Sequence, residues 1–262
     1  MNRGSLKKQI TAGVFWKFGE RFAAQGVSFI VSLVLARILM PNDYGIVVMI
    51  NVFISIADVL VSNGLSFALI QNRDAGQNEF STIFYCNFIL SIILYLILFI
   101  TAPYISQLYN MPALTLLIRV FALKLLPSSF QAIQVAYVSK QMMFKKFFFA
   151  TFGGTLCSAI VGIVMALTGF GVWALVAQYM TNTIINTVIL FIKVRWRPSL
   201  YFKLQQIVPM LKFGKNIMFS SLIGVVFNQL NSFIIGKKFM ASDLAYYDRG
   251  KSIPQLITEN VS

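Results

Sequence analysis

Seven apolar stretches follow one another along this 262-residue chain, at about residues 14–38, 44–70, 80–103, 114–138, 147–168, 171–192 and 216–236. Each is close to the roughly 20 residues that an α-helix needs to cross a hydrocarbon core of about 30 Å. The connections near Pro41, Pro103 and Gly169 to Gly171 suit helical hairpins, and no alternating ten-residue pattern suggests a β-barrel. Only 11% of residues are charged, against about 25% in soluble domains, so lipid must cover what charge does not. The expected fold is all-α, a polytopic integral membrane bundle.

The net charge of +14 does not point to nucleic acid, because the cations sit between apolar runs and are not gathered on a groove-reading face. The chain has no His, and Cys86 and Cys157 each lie in an apolar run, so no metal set, cofactor site or disulfide scaffold is expected. No Walker loop is present. Gly64-Leu65-Ser66-Phe67-Ala68 matches a nucleophile elbow only loosely, so an enzyme is not expected. The apolar run after Arg3, Lys7 and Lys8 is too long for a signal peptide and reads as a retained first span.

Cationic loops stay in the cytoplasm. With the N-terminus inside, thirteen Lys and Arg fall in inside segments and three (Arg37, Lys237, Lys238) fall outside. Tyr104 and Tyr109 then lie at the outer face, where interfacial aromatics belong. Within the basic loop 193–215, Leu200, Leu204, Ile207, Val208 and Leu211 predict a helix along the cytoplasmic interface. A solvated basic linker is the alternative, since Pro198 and Pro209 limit a regular helix.

A shift of 200 positions lays Leu33 to Gly45 over Phe233 to Ala245 without a gap, pairing Met40 with Met240 and Asp43 with Asp243. An odd-numbered span repeats an odd-numbered one, so the two copies share one orientation and form a parallel repeat. The expected organisation is a six-helix lobe over 1–192, a basic cytoplasmic linker over 193–215, and the start of a second lobe over 216–262. The second copy stops early, so the chain reads as truncated.

Charge at the middle of a membrane helix costs roughly 2.5–3.5 kcal/mol, while a good apolar residue returns about 0.3–0.6. Intramembrane polarity therefore marks candidate sites. Lys17, Glu20, Arg21, Gln25, Ser28 and Ser32 recur at steps of three and four on the first span. The simpler reading of its charges is snorkelling, with Glu20 pairing Lys17 or Arg21. Helix 2 carries Asn51, Ser55, Asp58 and Ser62; Asp58 is either a proton or cation site or a protonated, hydrogen-bonded group. Lys124 shares a face with Ser128 and Gln131 and is a better cavity candidate than Arg119, which snorkels. Asn228 belongs to a polar stripe on the seventh span. Gln178, Asn182 and Asn186 on the sixth read as interhelical hydrogen bonds, and Gly154, Ser158 and Gly162 as close packing.

Leu35-Ala36-Arg37-Ile38-Leu39 followed by Pro41-Asn42-Asp43-Tyr44-Gly45, Gly64-Leu65 with Ala68-Leu69-Ile70-Gln71, and Ala245-Tyr246-Tyr247-Asp248-Arg249 together resemble the Wzx-like polysaccharide exporters and lipid-linked oligosaccharide flippases. These belong to the multidrug/oligosaccharidyl-lipid/polysaccharide superfamily. The resemblance implies two six-helix lobes that rock between inward- and outward-open states around a cationic cavity, in the bacterial inner membrane. The implied substrate is a polyprenyl-diphosphate-linked glycan, with the bilayer and the polysaccharide polymerase machinery as implied partners. Carried onto matching positions, the cavity role falls on Lys17, Arg21, Gln25, Lys124 and Asn228, with Glu20 as charge partner; Arg37 is assigned to the turn. The alternatives are a cation-coupled multidrug antiporter using Asp58 as coupling carboxylate, and a non-transporting scaffold or inactive fragment.

Overall fold

The computed structural model describes residues 19, 24–62, 64–72 and 75–261. The described residues form helices joined by short connections, with no strand among them. In chain order these are α1 (Ala24–Ile38), α2 (Pro41–Ser62), α3 (Gly64–Gln71), α4 (Gln77–Leu108), α5 (Leu114–Ala122), α6 (Leu125–Lys140), α7 (Phe144–Leu167), α8 (Val172–Lys193), α9 (Leu204–Lys238) and α10 (Ala241–Val261). Six helical runs are long and apolar enough to cross a membrane: Pro41–Gln71, Gln77–Leu108, Leu114–Lys140, Phe144–Leu167, Val172–Lys193 and Ile207–Lys238. The fold is an all-α, multi-pass membrane bundle. Only the second part of the first apolar stretch lies within the described residues, as α1.

Prolines act differently from the sequence expectation. Pro103 does not end its helix; α4 continues to Leu108. Lacking an N–H, Pro103 leaves the Phe99 carbonyl without its helical donor. Arg119 of α5 supplies one, its Nε donating to that carbonyl at 3.3 Å while the guanidinium lies 4.3 Å from the centre of the Phe99 ring. Arg119 therefore repairs a helix. Pro127 has the opposite outcome: the Leu123 carbonyl takes the Leu126 N–H at 3.2 Å in place of the missing one, and the fourth span breaks into α5 and α6 with Lys124 at the joint.

The α7/α8 hairpin turns through Gly169 and Gly171, both at positive φ. Its helices touch through small residues. A Cβ on Gly154 would lie 3.1 Å from the Asn182 carbonyl oxygen, and one on Gly162 3.1 Å from Gln178 Cβ.

The connection after α8 is neither a solvated linker nor a separate interfacial helix. Residues 194–203 run as a strap across α4 and α6. Trp196 is 5% exposed among Phe80, Phe84 and Tyr137. Gln77 Nε2 donates to the Arg197 carbonyl at 2.6 Å, and Ser81 and Ser199 share a hydroxyl bond of 2.9 Å. The stretch expected to lie along the interface forms the first turns of α9, which runs through Pro209 without interruption.

The repeated segments fold alike. Each helix ends where Leu39 or Phe239 bonds back to Leu35 or Ile235, at 2.8 and 2.9 Å. The next helix begins at Pro41 or Ala241. At its third position, Asp43 Oδ2 accepts the Met40 N–H at 3.2 Å, and Asp243 Oδ2 accepts the Met240 N–H at 3.0 Å. This is one half of a capping box, and proline suits the first helical position because its N–H would go unused there. The two corners also meet: a Cβ on Gly45 would overlap the Ala241 carbonyl, and Arg249 stacks over the Tyr44 ring at 4.3 Å.

Candidate functional site: a polar cavity beside a charge pair

Asp58 reaches the interior because it lies on the polar stripe of α2, and Lys124 because the Pro127 break turns it inward. Lys124 Nζ stands 4.0 Å from Asp58 Oδ2, with the side chains 14% and 31% exposed respectively. The ammonium also lies 5.3 Å from the Phe121 ring centre. The second carboxylate oxygen, Asp58 Oδ1, is buried and without a hydrogen-bond partner among the described residues. Two opposite charges thus share one partly buried place, which lowers the cost each would carry alone.

Beside the pair lies a cavity of about 410 Å³ between α2, α3, α6, α7 and α8, with Asp58, Ser62, Ser66, Gln131, Asn182 and Thr183 among its walls. A neighbouring cavity of about 330 Å³ is faced by Gln25, Ser28, Thr151, Ser158, Gln178 and Asn182. Asn182 belongs to both. Its Nδ2 donates to Ser158 Oγ at 3.3 Å, so the residue read as an interhelical tie also joins the two polar spaces. Gln25 and Ser28 face a third space of about 500 Å³ between α1 and α10, where apolar walls meet Tyr44 and Arg249.

The structure thus brings together Gln25, Asp58 and the Asp58–Lys124 pair around adjoining cavities. Asn228 is not in the walls of the two polar ones; it is exposed on α9, where its carbonyl accepts from Lys251 Nζ at 2.9 Å. Lys17, Glu20 and Arg21 lie outside the described residues. Sequence reasoning passed over Gln229, whose Nε2 donates to Ser55 Oγ at 3.2 Å and ties α9 to α2. It is adjacent to Asn228, and the polar partner on helix 2 was visible in the Ser55 to Ser62 spacing. Pairing of Asp58 with Lys124 was also passed over, although two opposite intramembrane charges invite it. Among the described residues no three His, Cys, Asp or Glu side chains converge to hold a metal. The walls offer hydroxyls, amides and the Asp58 carboxylate, to which Lys124 is paired from outside the lining. That set can hold a hydroxyl-rich polar group within an otherwise apolar bundle.

Fold and site together define a multi-pass membrane protein with an internal polar cavity. Residues 34–262 match the polysaccharide biosynthesis protein family, and the chain belongs to it. It is 26% identical over 255 residues to the succinoglycan biosynthesis transport protein ExoT of Rhizobium meliloti, covering 95% of this chain and 51% of that protein. It is 25% identical over 240 residues to the lipopolysaccharide biosynthesis protein WzxC of Escherichia coli, covering 89% and 48%. The teichuronic acid biosynthesis protein TuaB of Bacillus subtilis is 23% identical over 254 residues, covering 93% and 51%. The chain spans about half the length of these curated relatives. No solved structure matches it significantly.

Proposed function

We propose that this chain is the first lobe, and the start of a second, of a transporter that carries a lipid-linked oligosaccharide across the bacterial cytoplasmic membrane by alternating access. The observation that carries the reading is family membership joined to a polar cavity whose wall residue Asp58 is paired with Lys124. Similarity to a protein named for transport supports movement of a polysaccharide precursor in place of chemistry on it. In this reading Lys124, with Lys17 and Arg21 of the first span, meets the diphosphate, while Gln25 and Asn228 meet polar groups of the glycan. Glu20 and Asp58 are the counter-charges that keep these cations tolerable before substrate arrives. The cytoplasmic placement of the N-terminus rests on the thirteen-to-three bias of Lys and Arg.

The test is export of surface polysaccharide in cells that depend on this protein. Lys124→Gln, and Lys17→Ala with Arg21→Ala, are expected to reduce export at least tenfold at unchanged membrane abundance. Intact export in all of them would sink the cavity assignment. The unpartnered Asp58 Oδ1 favours a second reading, a cation-coupled antiporter. That reading gains if Asp58→Asn abolishes transport more completely than the cation variants do.

A further inference from the structure

A groove lies where α7 begins and α8 ends. The two helices are held in register by close contact: a Cβ on Gly153 would lie 2.7 Å from Ile189 Cδ1, and one on Gly154 would lie 3.2 Å from Asn186 Cβ. One to two turns beyond that contact, Lys145 and Lys146 from the first turn of α7 and Lys193 from the last turn of α8 converge with Met143 and Phe149. Together they line a groove of about 350 Å³. The ammonium groups of Lys146 and Lys193 have no hydrogen-bond or ion-pair partner among the described residues.

Lys146 and Lys193, sharing one groove, repel each other unless an anion joins them. The 163 residues from Phe80 to Ser242 contain thirteen Lys or Arg and no Asp or Glu, so α5 to α9 offer no carboxylate. Lys145 and Lys146 also sit at the positive end of the α7 dipole, where acidic residues are favoured and α7 has none. An anion in the groove would offset both penalties.

Apolar surface continues from the same place along the helices. Ile184, Val188 and Ile192 recur every fourth residue on α8, with exposure rising to 70% at Ile192, and Phe149, Leu156, Ile160 and Val164 are exposed on α7. A soluble phosphate would use only the lysines, whereas a lipid would use the lysines and the apolar tracks together.

We propose that this groove binds the phosphate headgroup of an anionic glycerophospholipid, whose acyl chains lie along the exposed faces of α7 and α8. Basic recesses between membrane helices at the polar boundary have the chemistry for such headgroups. The site is separate from the cavity beside Asp58, and the proposal does not depend on what that cavity carries.

The experiment compares spin-labelled phosphatidylglycerol with spin-labelled phosphatidylcholine at the surface of the 262-residue chain in phosphatidylcholine bilayers. The chain is expected to hold the anionic label selectively. Replacing all three lysines (Lys145→Gln, Lys146→Gln, Lys193→Gln) should cut that selectivity about tenfold or more. Arginine at the same positions should retain it, which separates charge loss from misfolding. Removing an equal charge on or next to α9 (Lys203→Gln, Lys212→Gln, Lys215→Gln) should leave most of it. Equal selectivity in the glutamine variant and the wild type would overturn the proposal. So would equal loss in the α9 variant, or full displacement of the label by inorganic phosphate.

Discussion

At the scale of residues, three side chains act through what they neutralise. Arg119 satisfies the carbonyl freed by Pro103, so Arg119→Leu should lower thermal stability in detergent by about 1–2 kcal/mol. In a Pro103→Ala background the same change should cost less, because the helix then supplies its own donor; an equal cost in both backgrounds would contradict the repair role. Lys124 and Asp58 should show the matching behaviour. Each single change, Lys124→Gln or Asp58→Asn, should destabilise by about 2 kcal/mol, below the 3–5 kcal/mol of a fully buried pair because Asp58 is 31% exposed. The double variant should come closer to wild type, as measured by a double-mutant cycle. Tyr109 was expected at the outer surface with Tyr104, but only Tyr104 is exposed, at 69%. Tyr109 packs edge-on against Phe53 and Phe233 beyond the end of α4, and burial pushes its hydroxyl up to about 12. Its folded value is raised above the unfolded value of about 10. Its contribution to stability is therefore complete below pH of about 10 and is lost as pH climbs toward 12. Tyr109→Phe should flatten that alkaline loss, read as the difference between the two melting curves.

At the scale of elements, the motif after α1 has a physical reading residue by residue. Pro41 starts α2, Asp43 caps it, Tyr44 carries Arg249, and Gly45 permits contact with the Ala241 carbonyl. The two segments that carried the family resemblance, near 41–45 and 245–249, are thus in contact with each other. Gly45→Ala should force α2 and α10 apart at a cost of about 1–3 kcal/mol. Asp43→Ala should cost about 1 kcal/mol through the cap alone. Thermal melts of both would check the order. Six of the seven apolar stretches, the described part of the first, and the repeated corner were legible because they depend on length, hydropathy and local capping, which are properties of neighbours in sequence. What was not legible depends on partners far along the chain. Pro103 reads as a terminator until Arg119 is seen to answer for Phe99. Lys124 reads as a lone cation until Pro127 turns it toward Asp58, 66 positions earlier in the sequence. Tyr109 reads as interfacial until α9 covers it.

At the scale of the whole molecule, the strap 194–203 ties the ends of α4 and α6 to the start of α9. Trypsin should therefore cut slowly after Arg195 in the native chain; the Arg197–Pro198 bond resists trypsin in any state. Trp196→Ala should open the bond after Arg195 to cleavage, because Trp196 fills the space between Phe80, Phe84 and Tyr137. Equal digestion rates would show that the strap is not held. The middle of α9 is largely exposed, with Phe219, Ile223, Phe227 and Leu230 open on its surface. The helix is tied to the bundle by the strap at its start, by Gln229 against Ser55 of α2, and by Phe233 and Gly236 against Tyr109 near its finish. In a rod about 52 Å long, a small change of angle at the foot becomes a large displacement at the tip. A tilt of roughly 10° about its foot would carry the far tip about 9 Å. The clasp of Phe53, Tyr109 and Phe233 at that tip is then the latch that sets the angle of the lever.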